Sequence, residues 1–456
     1  MTRIEMAMTR SRSNKTLYFG LPLALLLGVG GYVAWRLLEP TPAYPAKVVR
    51  QANELQERLI SFDSHITLPL SFGTEGREAD KSGPGQFDLA KAAQGRLSGA
   101  ALTLFGWPEI WNGPDAPHRP TPGFVEEARN QQEVRYKAIT GMVRDFPQQV
   151  GIAYNPDDMR RLHGEGKFAI FISMLNAYPL GHDLDRLDQW AARGMRMFGF
   201  NYIGNNDWSD SSRPLPFLND SPDALGGLSD LGKQAVARLN DLGVIIDVSH
   251  MSTPALEQVA ALSRAPIVAS HSVPRAFVDI PRNLSDKEMR LIRDSGGVVQ
   301  IVAFSAYLKP MTQKTQDKLN ALRSQFDLPP LPNQAMALMP GDPVIAAWSE
   351  QKFGSYASQF YALLEEEPKA SLKEFGDAID YAVRKIGIDH VGIASDFNEG
   401  GGIDGWNDVS ESRNVTAELL QRGYSEADIG KLWGGNFLRT WAQVQQAGQS
   451  PSSSVQ

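Results

Sequence analysis

Short apolar runs alternate along this chain with segments of helical periodicity, and the alternation extends over most of its length. Eight runs are long enough, and rich enough in branched or aromatic residues, to predict β-strands. They are SFDSHITLPL, GAALTLF, FAIFISML, residues 195–202, VIIDVSH, PIVASHS, VVQIVAFSAYL and HVGIASDF. Strands that alternate with helices favour a parallel α/β architecture, and eight of them favour a (β/α)8 TIM-like barrel over an open sheet.

Two of these strands, VIIDVSH and PIVASHS, are separated by one helix-length segment and both contain the dipeptide Ser-His. A strand, a helix and a second strand in this order predict a βαβ unit, which places His250 and His271 at the carboxyl ends of neighbouring parallel strands. Active sites of barrels are built at that end. Two imidazoles there favour a metal or catalytic site, and the alternative is that each histidine only caps its strand by hydrogen bonding.

The first and last predicted strands add further candidate ligands. Asp63, His65 and Thr67 lie two residues apart, so they point to one face of the first strand, and Asp396 ends the last strand. Imidazoles and carboxylates at one end of a barrel suit Zn²⁺ or a similar ion that activates water for hydrolysis. The chain contains no GxSxG motif and no cysteine, which disfavours serine and thiol hydrolases.

The amino-terminal region predicts a membrane segment. Residues 17–38 are apolar up to Arg36, about long enough to span a bilayer, and basic residues precede them. The positive-inside rule then predicts a cytoplasmic segment 1–16, a linker at 39–46 and everything that follows outside the bacterial inner membrane, in the periplasm. A cleaved signal peptide is the alternative. We expect a barrel over residues 47–445 and a disordered tail after it.

The composition of the chain excludes some classes of binding partner and cofactor. A net charge of −7 with 21% charged residues gives no basic surface of the kind that binds nucleic acid. The absence of cysteine excludes disulfides and iron–sulfur clusters. We therefore expect no nucleic-acid partner.

Five motifs occur in an order that resembles the membrane dipeptidase (renal dipeptidase) family: DSH, IDVSH, VASHS with PRNLSD, HVGIASDF and GGNFLR. The resemblance covers about residues 47–445 and implies a two-zinc barrel of the metal-dependent hydrolase type that cleaves dipeptides. It implies His65 as a ligand of one zinc, with His250 and His271 as ligands of the second. It further implies that Arg282 holds the substrate carboxylate and that Asp396 acts near the substrate amine or the bridging water.

The chain departs from the family at three positions. The family pattern His-x-Asp in strand one is His65-Ile66-Thr67 here, and the metal-bridging glutamate of strand three corresponds to Leu175 or Asn176. The histidine of strand four corresponds to Tyr202, which becomes a candidate for catalysis and substrate binding together with Asp396.

These departures change the expected metal content. Two divalent ions about 4 Å apart repel each other by roughly 16 kcal/mol at an effective dielectric constant near 20, and the bridging carboxylate normally offsets this repulsion. We therefore expect one zinc or other divalent ion at most, or none, on His65, His250 and His271, with Asp63 as a further candidate ligand.

The segments LSGAALTLFGWPEIWNGP and SMLNAYPLG also resemble dipeptidase-like proteins of fluorescent pseudomonads. That resemblance implies a periplasmic role in the oxidative maturation of the siderophore pyoverdine. Three functions remain open. The chain is a dipeptidase-like protein with a degenerate metal site that binds a peptide-like siderophore precursor, an active zinc metallodipeptidase that hydrolyses dipeptides, or a non-catalytic scaffold for a partner oxidase at the inner membrane.

Overall fold

The computed structural model describes residues 44–107, 122–214, 220–221, 223–330, 344 and 348–449. The chain packs as two units, Met1–Ala46 and Lys47–Gln456, and the barrel belongs to the second. No helix in the described part of the chain is long and apolar enough to cross a membrane. The expected membrane segment, residues 17–38, and the expected cytoplasmic segment before it lie outside the described residues.

The sheet has nine described parallel strands, eight of which form the predicted barrel. The strands are β1 (Phe62–Thr67), β2 (Gly99–Phe105), β3 (Val150–Ile152), β4 (Phe168–Leu175), β5 (Met195–Gly199), β6 (Ile245–Asp247), β7 (Ile267–Ser272), β8 (Val298–Val302) and β9 (Val391–Ala394). Their order in the sheet is β1-β2-β4-β5-β6-β7-β8-β9, and β3 pairs with β4 off this path. The two edges meet because Thr67 donates its backbone N–H to Phe397 O at 3.2 Å, and Asp396 donates to His65 O at 3.1 Å.

Helices connect most of the strands. They are α1 (Ala46–Arg58), α2 (Leu89–Gly95), α3 (Pro122–Asp145), α4 (Pro156–Gly164), α5 (Asp185–Ala192), α6 (Asp230–Asp241), α7 (Thr253–Leu262), α8 (Asp286–Asp294), α9 (Ser305–Leu308), α10 (Gln313–Gln325), α11 (Glu350–Glu365), α12 (Leu372–Ile386), α13 (Ser412–Gln421), α14 (Glu426–Gly430) and α15 (Asn436–Gln449). The capping box predicted at Ser285 and Glu288 is present at the start of α8.

An aromatic cluster fills the barrel on the side where β1 begins. Phe437 and Trp441 of α15 pack with Phe62 and Phe171, with ring centroids 4.5 Å apart for Phe62–Phe437 and 4.7 Å for Phe171–Trp441. All four side chains are buried. Because Phe62 opens β1 and His65 lies towards its end, this packing leaves the opposite end of the barrel for polar groups.

Helices α10 and α11 form a hairpin with a small core of its own, separate from that of the barrel. Its buried residues are Leu319, Leu322, Leu328, Trp348, Tyr356 and Phe360. Glu367, after α11, connects to Thr312, before α10. Its carboxylate accepts hydrogen bonds from Thr312 N and Thr312 Oγ1, both at 2.8 Å.

Three local features differ from the sequence-based expectation. Strand β3 was not predicted, because three residues are too few for a periodic signal. The run VVQIVAFSAYL was predicted as one strand, but the strand ends at Val302 and its last residues form α9. Helix α15 continues to Gln449, beyond the expected end of the barrel at residue 445, and the rest of the tail lies outside the described residues.

Candidate metal and substrate site

The predicted ligands converge at the carboxyl ends of the strands. His65 lies in β1, His271 lies in β7, His250 follows β6 and Asp396 follows β9, and all four side chains are buried. His250 and Asp396 have φ angles of +68° and +60°, in the left-handed region. Non-glycine residues adopt this conformation at a cost on the order of 1 kcal/mol or more, and such strain concentrates at functional sites.

The side chains form one cluster. The rings of His65 and His271 stack with centroids 3.8 Å apart, and His65 Nε2 lies 3.7 Å from Asp396 Oδ1. One ligand atom from each of these three residues lies within 4.8 Å of the other two. His250 joins the cluster through His271, since their Nε2 atoms are 2.8 Å apart.

A chain of hydrogen bonds fixes the tautomer of His271. The hydroxyl of Ser270 donates its hydrogen to Asp247 Oδ2 at 2.5 Å. Because that hydrogen is used, Ser270 Oγ accepts the Nδ1–H of His271 at 2.7 Å. The lone pair of His271 Nε2 is then directed towards His250 and the cluster. A carboxylate that orients a metal-binding histidine from behind is a recurring feature of metal sites.

Burial sets the protonation states. Burial, reinforced by the positive charge of Arg282, lowers the pKa of His65 to about 3. Burial likewise lowers the pKa values of His250 and His271 well below the usual range, and it raises the pKa of Asp396 well above its usual range. The three imidazoles are therefore neutral, which is the form that binds a metal ion.

This donor set fits one divalent ion. Zinc accepts imidazole nitrogens and carboxylate oxygens at about 2.0–2.2 Å, in a tetrahedral arrangement of four ligands. Three neutral imidazoles and Asp396 supply those donor types. His250 reaches the cluster through Nε2, and its other ring nitrogen, Nδ1, is buried with no hydrogen-bond partner among the described residues.

The cluster does not supply the carboxylates that a second ion needs. Leu175 lines the cavity beside the imidazoles with an apolar side chain. The side chain of Asn176 is hydrogen-bonded to the backbone. Its Nδ2 atom donates to Gly106 O at 3.2 Å, and its Oδ1 atom accepts from Tyr178 N at 3.2 Å. Thr67 is buried, and its hydroxyl has no hydrogen-bond partner among the described residues.

Asp63 lies next to the cluster, but its carboxylate accepts hydrogen bonds from backbone N–H groups. Its Oδ1 atom accepts N–H groups from His65 at 3.2 Å and from Ser395 at 3.0 Å. Burial raises the pKa of Asp63 to about 7 against the lowering effect of these bonds. Asp63 does not belong to the group of donor atoms that lie within 4.8 Å of one another.

Arg282 is buried and held by the barrel. It donates from Nη1 to Ser272 Oγ at 2.9 Å and from Nη2 to His271 O at 2.5 Å, and its guanidinium lies 5.1 Å from the ring centroid of Tyr307. The arginine that lines the adjacent cavity is Arg213. The substrate-binding role that the family resemblance implies for Arg282 stays a prediction.

A cavity of about 240 Å³ opens beside the cluster. It is lined by His65, Phe105, Leu175, Tyr202, Ile203, Arg213, His250, His271, Phe304, Tyr307, Tyr361, Asp396, Glu399 and Gly400. Tyr202 is brought into this wall, with its ring 5.1 Å from that of His250, and burial raises its pKa far above the ordinary value.

Sequence reasoning missed several residues of the cavity wall, namely Arg213, Phe304, Tyr307, Tyr361 and Glu399. None belongs to a motif. A signal existed for Glu399, which follows the strand-end Asp396 by three residues and whose N–H bonds to Asp396 O at 3.2 Å. Burial raises the pKa of Glu399 to about 7. Tyr361 carries no such signal, because it comes from the α10–α11 hairpin.

Comparisons of the sequence and of the fold with known proteins point to the same family. The model of the membrane dipeptidase family, peptidase family M19, matches residues 49–455. The fold is similar to the crystal structure of a probable dipeptidase, PvdM, from Pseudomonas aeruginosa, with 73% identity, a TM-score of 0.85, and coverage of 89% of this chain and 100% of that chain.

More distant relatives agree with this placement. A dipeptidase of Aspergillus oryzae, aclJ, is 24% identical over 381 residues, which is 80% of this chain and 72% of that protein. A Rhodobacter sphaeroides metallopeptidase, crystallised with a phosphinate mimic of L-Ala-D-Ala, is 20% identical with a TM-score of 0.60, covers 87% of this chain and 96% of its own, and shares the fold. Since the family model spans nearly the whole barrel, this chain belongs to the membrane dipeptidase family, peptidase family M19.

Proposed function

We propose that this chain is a membrane-anchored periplasmic dipeptidase-like protein whose degenerate metal site holds at most one ion. In this proposal its cavity binds a peptide-like siderophore precursor during the maturation of pyoverdine. The location is supported by the apolar segment 17–38 and the basic residues before it. The dipeptidase-like character is supported by the similarity to the probable dipeptidase PvdM. The role in pyoverdine maturation rests on the sequence resemblance to dipeptidase-like proteins of fluorescent pseudomonads.

The observation that carries the proposal is the apolar side chain of Leu175 in the cavity wall. The family resemblance implies a metal-bridging glutamate at this strand end, where Leu175 and Asn176 lie. Two divalent ions bring four positive charges, and an isobutyl group offsets none of them. One ion on neutral imidazoles and the carboxylate of Asp396 leaves a net charge of about +1, against about +3 for two ions on the same ligands.

The residues of the chain suit ligand binding beside such an ion. His65, His271 and Asp396 would hold it, and an ion at this position supplies Lewis-acid polarisation of a carbonyl or activation of water. The hydrogen-bonded Ser270 holds the His271 ring in position. The phenol of Tyr202 remains protonated at neutral pH and can donate one hydrogen bond to a peptide carbonyl.

The test is elemental analysis of the full chain purified in detergent, together with a dipeptide hydrolysis assay. We expect less than two metal ions per chain and a lower metal content for His271→Ala. Two zinc ions per chain with turnover of simple dipeptides would overturn the proposal. Circular dichroism of the variant checks that its fold is intact.

A second candidate function is hydrolysis by a single ion, and the carboxylates of Asp396 and Glu399 in the cavity wall favour it. Release of free amino acids at a stoichiometry of one ion per chain would establish this function. A pure scaffold differs from both candidates, because the cavity would then be dispensable. In a pyoverdine-producing strain that lacks its own copy, normal pyoverdine formation with a folded His250→Ala variant would identify a scaffold.

A further inference from the structure

We propose that Glu399 and the aromatic rings beside it form a cation subsite, which selects a ligand with an ammonium group next to an aromatic ring. This inference rests on the proposed function in one respect, namely that the cavity is the ligand site. It goes further by assigning the chemical class of the group that is bound.

Glu399 is a partly buried carboxylate that has no partner in the described part of the chain. It lines the cavity, and its carboxylate forms no hydrogen bond and no ion pair within 4.0 Å in the described part of the chain. The charge that acts on it most is Arg135, whose guanidinium is already bonded to Leu68 O at 2.9 Å and Phe105 O at 2.7 Å. A poorly solvated carboxylate gains most from a ligand that brings a positive charge.

Among the charged residues that line the cavity, Glu399 is the one that can bind a positively charged group of the ligand. Asp396 and Glu399 are the carboxylates of the lining, and Arg213 is its one arginine. Asp396 lies 3.7 Å from His65 Nε2, within the group of atoms that would hold an ion. With Asp396 engaged there, Glu399 is the carboxylate of the lining that remains for a cationic group of the ligand.

Aromatic rings line the same cavity wall as Glu399. A Cβ atom on the next residue, Gly400, would come 2.5 Å from the ring of Phe304, so the absence of a side chain lets this ring pack against the backbone. Phe304 stacks on Tyr307 with centroids 4.2 Å apart and an interplanar angle of 17°. Tyr361 of α11 adds a further ring to the lining. Aromatic faces attract ammonium groups and also stack on aromatic rings.

The volume of the cavity limits the ligand to one ring. An engineered apolar cavity of about 150 Å³ holds a benzene molecule in another protein. The 240 Å³ here therefore accommodate one aromatic ring and a short chain that carries the ammonium group.

The experiment measures the affinity of the full chain, purified in detergent, for four small probes by isothermal titration calorimetry. 2-Phenylethylamine carries both features, 2-phenylethanol lacks the charge, 3-phenylpropionate reverses the charge and butylamine lacks the ring. We expect 2-phenylethylamine to bind about tenfold more tightly than 2-phenylethanol, as one hydrogen-bonded charge pair provides. We also expect it to bind more tightly than 3-phenylpropionate and butylamine.

Matched variants assign the effect to residues. Glu399→Gln keeps the shape of the side chain and is expected to abolish the preference for the amine over the alcohol, whereas Glu165→Gln, at an exposed carboxylate, keeps it. Tyr361→Leu is expected to reduce the preference for 2-phenylethylamine over butylamine.

Two results would overturn the inference. One is equal affinity of wild type and Glu399→Gln for 2-phenylethylamine. The other is loss of bound metal in Glu399→Gln, which would make this residue a metal ligand. A count of two zinc ions in the wild type contradicts the proposed function and leaves the selectivity between probes as a separate result.

Discussion

Replacing Ser270 by alanine removes the hydroxyl that connects Asp247 to the ring of His271. In the wild type this hydroxyl donates to Asp247 Oδ2 at 2.5 Å and accepts the Nδ1–H of His271 at 2.7 Å. Without it the imidazole is free to adopt the other tautomer, with the proton on the nitrogen that faces the cluster. Loss of such an outer partner typically lowers metal affinity by about 10- to 100-fold, or about 1.4–2.7 kcal/mol.

Ser270→Ala is also expected to lower the free energy of unfolding, and the hydrogen bonds of Asp247 indicate by how much. Asp247 keeps its two backbone donors, since Oδ1 accepts from Ser249 N and Ser270 N, each at 2.9 Å. Oδ2 loses its hydroxyl donor in a fully buried position, which costs about 1–3 kcal/mol of unfolding free energy. Ser270→Ala is therefore expected to fold in the absence of metal with a moderately lower melting temperature.

Zinc titration of the full chain against a chromophoric chelator measures the affinity, and thermal unfolding in EDTA measures the stability. Ser64→Ala is the matched control, because it removes a buried hydroxyl that donates to the backbone oxygen of Ser270 at 2.6 Å and leaves His271 unchanged. Zinc affinity of Ser270→Ala equal to that of wild type and of Ser64→Ala would refute this reasoning. A wild type that binds no divalent ion would refute its premise.

Three other changes are expected to have measurable effects. Leu175→Glu places a carboxylate in the cavity wall and is expected to raise the metal content above that of wild type; an unchanged count by elemental analysis contradicts it. Arg422→Ala breaks contacts at 2.9 Å to Asp377 and at 2.7 Å to Asp380, and is expected to cost about 1 kcal/mol in urea unfolding at pH 7, because both carboxylates are partly exposed to solvent. Burial raises the pKa of Asp377, but the hydrogen bonds from Lys373 and Arg422 outweigh it and lower that pKa below the usual value. The resulting stability is present above the unfolded pKa and is lost as the pH falls, so unfolding of Arg422→Ala is expected to depend less on pH between about 5 and 3 than that of wild type. Trp441→Ala is expected to cost about 3–5 kcal/mol, and Trp441→Phe less, because the buried indole N–H has no partner in the described part of the chain; equal costs in calorimetry would count against this account.

Most of the barrel strands were predictable because they are largely apolar runs. Strands β2 and β4 have the predicted bounds, Gly99–Phe105 and Phe168–Leu175. Strands of a parallel sheet are buried on both faces, so their sequences carry no polar alternation that would blur the ends. The four candidate ligands could be assigned to strands because each directly follows a serine within or at the end of a predicted strand.

The cavity wall was much less predictable. Glu399 lies in a turn, and Tyr361 lies in a hairpin with its own apolar core. Neither a turn nor a surface helix reveals in its periodicity which of its side chains faces a site. The identity of Leu175 as a wall residue was partly predictable, because it ends β4, but only the coordinates separate it from Asn176, whose side chain bonds to the backbone.

The sequence by itself determined which chemical groups this barrel presents, namely three imidazoles and a carboxylate at strand ends. The tertiary structure decided which of them meet. His65 stacks on His271 although β1 and β7 are not neighbours in the sheet, so the contact is made across the interior of the barrel. Local periodicity sets the side of a strand on which a residue lies. The closure of the barrel and the side-chain conformations set the distances across its interior, and those distances decide which of these side chains come close enough to share a ligand.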